Sequence, residues 1–403
     1  MKDTVIITTH ERPTPPFSGA NHKIHDIIWA LQDVYRLEVL VYDPDPGYAD
    51  SLKEYWTGPS VRTRVVQPGG QWLQVRALLA GTLRTALMRN FQLERYWIEE
   101  IRQTATAVAL IADGLSGLPI VEYYPVGVIA SVHDCMSCYY LAQQRRSRNR
   151  REWLLWALRR RGALALERRY LHRASLVHMV TQEDADLLRR VNPGAKTAVV
   201  PIVSIGLQIP GVTGQVETNA MPSVLIWGNL GAPPVREGFR ALISAPEWAA
   251  LIGLGDVTVL GRVPVESFQA EFPSAAKQVR YIQKADDLDA FICKFQLVIL
   301  PDMEGRGQKN RCFDALRLGR CVAGLSEVFR GLPVSDTPYY LSRKTWGDLV
   351  QCVLDACRDQ TYRETGARAR QVLADHLGSE SYRNKWMEFV ESVPALDTFR
   401  LAP

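Results

Sequence analysis

The sequence predicts an α/β protein of two domains, and three observations carry that expectation. The chain has 403 residues, more than one hydrophobic core usually supports. Short apolar runs alternate with amphipathic segments in both halves, the pattern of strands interleaved with helices. Between the halves, Pro201 to Pro222 is rich in Gly, Pro and Thr and lacks helical periodicity, as a linker does.

In chain order, the first strand is Val5-Ile6-Ile7. The apolar run at the N-terminus is too short for a signal peptide and is followed by charge within a few residues. The loop after it, Pro15 to His22, is stiffened by proline and carries Gly19-Ala20-Asn21. Further strands are expected at Leu37 to Val41, Ala107 to Ile111, Val128 to Val132 and Leu176 to Val180, which makes the first half a doubly wound domain. The second set runs Val224 to Trp227, Val257 to Leu260, Val279 to Ile282 and Leu297 to Leu300. Cys321-Val322-Ala323 starts one more strand, and a final helix spans about Ser381 to Val393.

Composition narrows the class. Hydrophobic content of 47% with 23% charged residues describes an ordinary globular protein. No run of about 18 apolar residues exists to span a membrane as a helix. Seven Cys, an odd number without disulfide-framework spacing, predict free thiols and a cytoplasmic location. Cys135 and Cys138 form a CxxC near His133, but no second pair has metal-ligand spacing, so a structural role is expected.

The segment Leu297 to Gly324 carries the chemistry. An apolar strand stops at Pro301, a loop Glu304-Gly305-Arg306-Gly307-Gln308-Lys309 follows, and Phe313, Ala315, Leu316 and Leu318 carry helical spacing up to Gly319. Small residues let backbone N–H groups approach an anion, and the helix dipole favours its charge. Lys309 and Arg311 add fixed positive charge, and Asp314 lies one turn further on, placed to accept from ribose hydroxyls. Neither the P-loop pattern nor the third glycine of the dinucleotide pattern is present.

This segment resembles the donor-site region of the GT4-type retaining glycosyltransferases of the GT-B fold. The helix Asp314-Ala315-Leu316-Arg317-Leu318-Gly319-Arg320-Cys321-Val322 has Asp for the family's Glu and Cys for its Pro. Gly305 to Ala315 matches a variant branch that reads Gly-x-Gly-x-Lys-Asn-Lys-x-Leu-Glu-Ala. The resemblance implies two Rossmann-like domains facing a cleft, residues 1–203 on the acceptor side and 204–380 for the donor, with 381–403 as a helix returning to the first domain. It implies transfer of a sugar from a nucleotide diphosphate sugar, UDP- before GDP-, with retention and without a metal or other cofactor. The acceptor would be a glycan, a lipid-linked or a small molecule, with a role in cell-envelope polysaccharide.

By the same resemblance, Gly305, Arg306, Gly307, Lys309 and Arg311 hold the diphosphate, Asp314 the ribose and Glu304 the donor sugar. His133 and Asp134, at a strand tip after Ala130-Ser131-Val132, would face the donor and acceptor, and Gly19, Ala20 and Asn21 would line the acceptor side. Gly228, Asn229, Tyr281 and Ile282 complete the donor set. Asn229 and Pro234 stand where the family has an Arg–Lys phosphate clamp, and Arg236 is the expected replacement. The segment Ala163 to Asp186 also matches the family, with Thr181 as a helix cap. Two rival classes keep the fold but change the function: a nucleotide-sugar epimerase or hydrolase, and a non-catalytic docking protein with a decayed donor site.

Arg145 to Arg173 holds eleven Arg against two Glu, a net of +9, interleaved with Trp153, Leu154, Leu155, Trp156 and Leu158. A solvated helix face accounts for this pattern, as does peripheral contact with an anionic membrane. A nucleic-acid partner is not expected.

Overall fold

The computed structural model describes residues 2–14, 19–43, 45, 47–66, 101, 107–124, 127–147, 149–202, 222–303 and 307–395. The chain divides into two compact units, Met1–Gly206 with Ser379–Pro403, and Leu207–Gly378. Most of the expected linker lies outside the described residues.

In the first unit, the described strands are β1 (Thr4–Thr9), β2 (Arg36–Tyr42), β3 (Val61–Val66), β4 (Ala109–Asp113), β5 (Val128–Ser131), β6 (Leu176–Met179) and β7 (Thr197–Val199). They form one parallel sheet in the order β3-β2-β1-β4-β5-β6-β7. Both faces are covered, so the strands read as continuous apolar runs rather than alternating ones. Val5, Ile7, Val39 and Ile111 point into one core, and Ile6, Leu40 and Leu110 into the other. Strand β4 lies two residues later than expected. Val108 only donates to the Thr4 carbonyl, while the ladder with β1 begins at Ala109 and carries the strand on to Asp113. That shift puts a carboxylate at the strand tip.

The final helix, Ser379–Ser392, packs on this unit. Tyr382, Trp386 and Val390 recur at helical spacing and join the core shared with the helix Gly19–Leu31. Trp386 is fully buried, edge-on to His178 with ring centroids 4.7 Å apart. Arg383 pairs with Asp33 at 2.7 Å and lies over the Trp29 ring.

In the second unit, the strands are β8 (Val224–Trp227), β9 (Val257–Leu260), β10 (Arg280–Ile282), β11 (Leu297–Leu300), β12 (Cys321–Leu325) and β13 (Leu341–Arg343). Their parallel order is β10-β9-β8-β11-β12-β13. In both sheets the strand order reverses once, between β1 and β4 and between β8 and β11. Open α/β sheets bind ligands just beyond the carboxyl ends of the strands at such a reversal.

Candidate functional site

At the reversal in the second sheet, two strand ends are locked together. The helix Pro233–Ile243 follows β8, and a Cβ on its Gly238 would come within 1.9 Å of the Pro301 carbonyl at the end of β11. Only glycine allows that approach. Gly228 is similarly crowded, with Val235 and the Arg311 guanidinium over it. Asn229 turns its side-chain oxygen back to the Gly231 N–H at 3.0 Å and so shapes its own loop.

The strand β11 leads through the loop to the helix Asn310–Arg317. Gly307 is buried with φ of 71°, a left-handed conformation that glycine adopts without strain. Lys309 is the residue immediately before the helix, where orphan N–H groups collect. Asn310, in the first turn, has a buried Nδ2 with no acceptor among the described residues. Gly319, with φ of 71°, follows the helix end as expected.

The other charges here have protein partners. Arg311 grips Asp302 with one nitrogen 2.9 Å from both carboxylate oxygens. Asp314 is buried and pairs with Arg317 at 3.4 Å, while Arg317 holds Asp289 at 2.7 Å. Asp287 caps the helix Leu288–Ile292 by accepting from the Ala290 N–H at 2.9 Å. Arg236 lies 3.7 Å from Glu271, which Arg240 also holds. The Tyr281 hydroxyl donates to the Val263 carbonyl at 2.7 Å, and its ring stacks on Phe268, so Tyr281 supports the loop beyond β9; Ile282 is half-buried beside it. Glu304, Gly305 and Arg306 lie outside the described residues.

The reversal in the first sheet is built from buried charge. The helix Gly19–Leu31 delivers Lys23, fully buried, to the tips of β4 and β5. Its ammonium is 2.6 Å from the Asp113 carboxylate, 3.0 Å from the Ser131 carbonyl and 3.3 Å from His133 Nδ1. Thr9, at the tip of β1, donates to the other Asp113 oxygen at 2.9 Å. Burial opposes charge on Asp113, but Lys23, His133 and two hydrogen bonds hold its pKa below the ordinary value. Burial and the Lys23 charge push His133 down to about 3, so its imidazole is neutral. His178 sits below, accepting from Ser131 Oγ and donating Nε2–H to the Val200 carbonyl. Glu11 faces the same cluster, its pKa raised by burial and by Asp113.

The loop that leaves β1 is held by Arg12, which binds Asp43 at 2.5 Å and covers the Tyr48 ring, and by Trp56, which donates to the Pro13 carbonyl. Gly19, Ala20 and Asn21 form the first turn of the Lys23 helix, and Asp134 is half-buried next to His133. The structure therefore gathers the first-unit candidates around one strand reversal and the second-unit candidates Gly228, Asn229, Gly307, Lys309 and Arg311 around the other. Arg236, Tyr281 and Asp314 face protein partners. Sequence reasoning missed Lys23, Asp113, Glu11 and Asn310. A lysine amid Ile24, Ile27 and Ile28 was the available signal for a buried cation. Cys135 is buried, and its thiol pKa is raised by a hydrogen bond with Cys138 and by burial; all seven cysteines are free thiols.

No protein-family model matches the chain, and no curated protein matches it by sequence. Solved structures do match. Sucrose-phosphate synthase from Thermosynechococcus elongatus aligns with a TM-score of 0.72 at 14% identity, over 97% of this chain and 98% of that one. Anabaena HepE in complex with UDP aligns with a TM-score of 0.62 at 15% identity, over 97% and 100%. WaaG, a glycosyltransferase involved in lipopolysaccharide biosynthesis, aligns with a TM-score of 0.58 at 14% identity, over 96% and 99%. The chain has the GT-B fold. At these identities the likeness establishes the architecture of both Rossmann-like units and leaves the chemistry to the residues.

Proposed function

We propose that this GT-B protein is a glycosyltransferase that takes a sugar from a nucleotide diphosphate sugar, UDP-linked before GDP-linked, and retains its configuration. The observation that carries this is the turn from β11 into the helix Asn310–Arg317, where left-handed Gly307, Lys309 and an Asn310 amide donor with no acceptor among the described residues collect at one helix N-terminus. A departing diphosphate gains negative charge there, and N–H groups with a lysine stabilise it without reorganising. Proteins of the same fold have been captured with UDP and with UDP-glucose, which supports this ligand class. Asp287 serves as a helix cap and Asp289 pairs with Arg317, so these two neighbouring carboxylates are engaged by the protein, in keeping with a metal-independent reaction.

Arg311 and Asp314 are committed to Asp302 and Arg317. This favours a second reading, a non-catalytic docking protein whose donor site has decayed. A panel of nucleotide sugars separates the two: transfer or nucleotide release supports the enzyme, and thermal stabilisation without turnover supports the docking protein.

For the acceptor we favour a lipid-linked molecule at an anionic membrane. The helix Arg150–Tyr170 buries Gly162, Ala163, Leu166, Glu167 and Tyr170 but leaves Trp153 50% and Leu154 54% exposed, with Leu155 and Leu158 also exposed among arginines. No helix among the described residues is long and apolar enough to cross a membrane, so the contact would be peripheral.

A further inference from the structure

We infer that the buried Lys23–Asp113 pair is a positioning device that locks His133 in its Nε2–H tautomer, so that this ring presents a hydrogen-bond donor to an oxygen of the ligand. A lysine ammonium has three N–H donors and no acceptor. Lys23 has three acceptors around it: the Asp113 carboxylate, the Ser131 carbonyl and His133 Nδ1. The ammonium can only donate, so Nδ1, 3.3 Å from it, must offer a lone pair. A neutral imidazole with a bare Nδ1 carries its proton on Nε2.

His133 Nε2 is buried and has no acceptor among the described residues. A buried donor without a partner is costly, so a ligand or a bound water must satisfy it. Its position beyond β5, beside the strand reversal, is where open α/β sheets hold ligands. The acceptor it fits is a sugar hydroxyl or a phosphate oxygen.

The surrounding groups keep the ring neutral. Lys23 comes from the helix Gly19–Leu31, Asp113 from β4, His10 and Glu11 from the loop after β1, His178 from β6, and Asp134 is the next residue. Lys23 is the cation that touches His133; Asp113 pulls the ring's pKa up, but burial and Lys23 outweigh it. His10 and His178 are themselves held neutral, pushed down to about 4 and about 3 by burial. A neutral donor avoids competing with the carboxyl groups for protons as pH changes. Only the name of the ligand rests on the glycosyl-transfer reading.

The test is a long-range proton–nitrogen correlation spectrum of the full chain labelled with nitrogen-15 histidine. His133 is assigned by the signals lost in His133→Gln. The expected result is a bare Nδ1 and a protonated Nε2, unchanged across neutral and mildly acidic pH. Protonation on Nδ1, or a titration near the ordinary histidine pKa, overturns the inference in the wild-type protein alone. The variant Lys23→Met/Asp113→Leu removes both charges at similar volume and so avoids stranding one of them. It should lose the lock, seen as mixed tautomers or a recovered titration; an unchanged His133 pattern overturns the positioning role. Adding UDP-glucose should shift the Nε2 proton. If UDP-glucose stabilises the protein against heat yet leaves that proton unmoved, His133 does not serve the donor. If it neither stabilises nor shifts anything while the tautomer is as expected, the lock stands and the UDP-glucose reading falls.

Discussion

The two strand reversals use the same topology and opposite electrostatics. In the second unit the charges that face the loop sit near the surface: Lys309 is half-buried, and the Arg311 side chain is 23% exposed against Asp302. In the first unit the Lys23 and Asp113 side chains are 0% and 2% exposed. A cation near water can be turned toward an incoming anion at little cost. A fully buried cation is held by its partners, and removing one partner strands the other. As proposed, the first edge therefore has the task of orienting neighbours and the second that of meeting charge. The same mutation, lysine to an uncharged residue, should read out as lost stability in one and lost affinity in the other.

The sharpest way to break this comparison is Lys23→Met. It leaves the Asp113 carboxylate buried without its counter-ion and should cost about 3–5 kcal/mol of stability, measured by urea unfolding. A loss well under about 1 kcal/mol, the scale of an exposed pair, would show that the first edge is wet and the contrast false.

Next in size is a pH effect confined to the first unit. Glu167 is buried beneath the helix Met136–Arg146 and accepts from the Ser137 N–H at 3.1 Å. Burial raises its pKa to about 7 despite that hydrogen bond. The folded state therefore holds a proton that the unfolded chain releases near 4.5. Stability from this group is full below that value and is lost as pH rises toward about 7, by up to roughly 3 kcal/mol. The difference between wild type and Glu167→Gln should show this slope, because the amide cannot ionise. A flat difference curve would place water at Glu167.

Lys309→Ala supplies the other half of the contrast. It should weaken UDP binding by roughly 1.5–3 kcal/mol, the scale of a charge-assisted hydrogen bond, with the unfolding midpoint in the absence of nucleotide unchanged. Unchanged affinity would remove this loop from the donor site. A large drop in stability instead would mean that Lys309 behaves like Lys23.

The smallest effect per residue belongs to the solvent-facing charges of the first unit. Replacing Arg150 and Arg151 by Glu should weaken binding to phosphatidylglycerol vesicles by on the order of 1 kcal/mol for each positive charge lost, and salt should weaken wild-type binding similarly. Protein that stays in the supernatant at low salt would assign the arginine face to solvent and the acceptor to a soluble molecule.

Several elements were legible because each declares itself locally. β8, β9 and β11 lie at the expected residues, since a strand buried on both faces is a continuous apolar run. Thr181 caps a helix as its position foretold. Strands β7 and β13 were missed because three residues at a sheet edge carry too little pattern to recognise. β3 was missed although Val61-Arg62-Thr63-Arg64-Val65 alternates; its arginines pair with Glu38 on the neighbouring strand, a partner that local pattern does not show.

What the sequence determined by itself was the architecture and the position of the glycine turn that follows β11. Apolar period, glycine and the charge that follows it are neighbours in the chain, and backbone geometry acts over the same few residues. What only the tertiary structure decided was which charges are spoken for. Arg311 and Asp302 are nine residues apart and Arg317 and Asp289 twenty-eight, while His133 and Lys23 are separated by 110. Nothing local marks such pairs, because a buried charge is stabilised by whatever the fold brings within about 3 Å of it, and the fold is settled by the apolar faces that carry those side chains along.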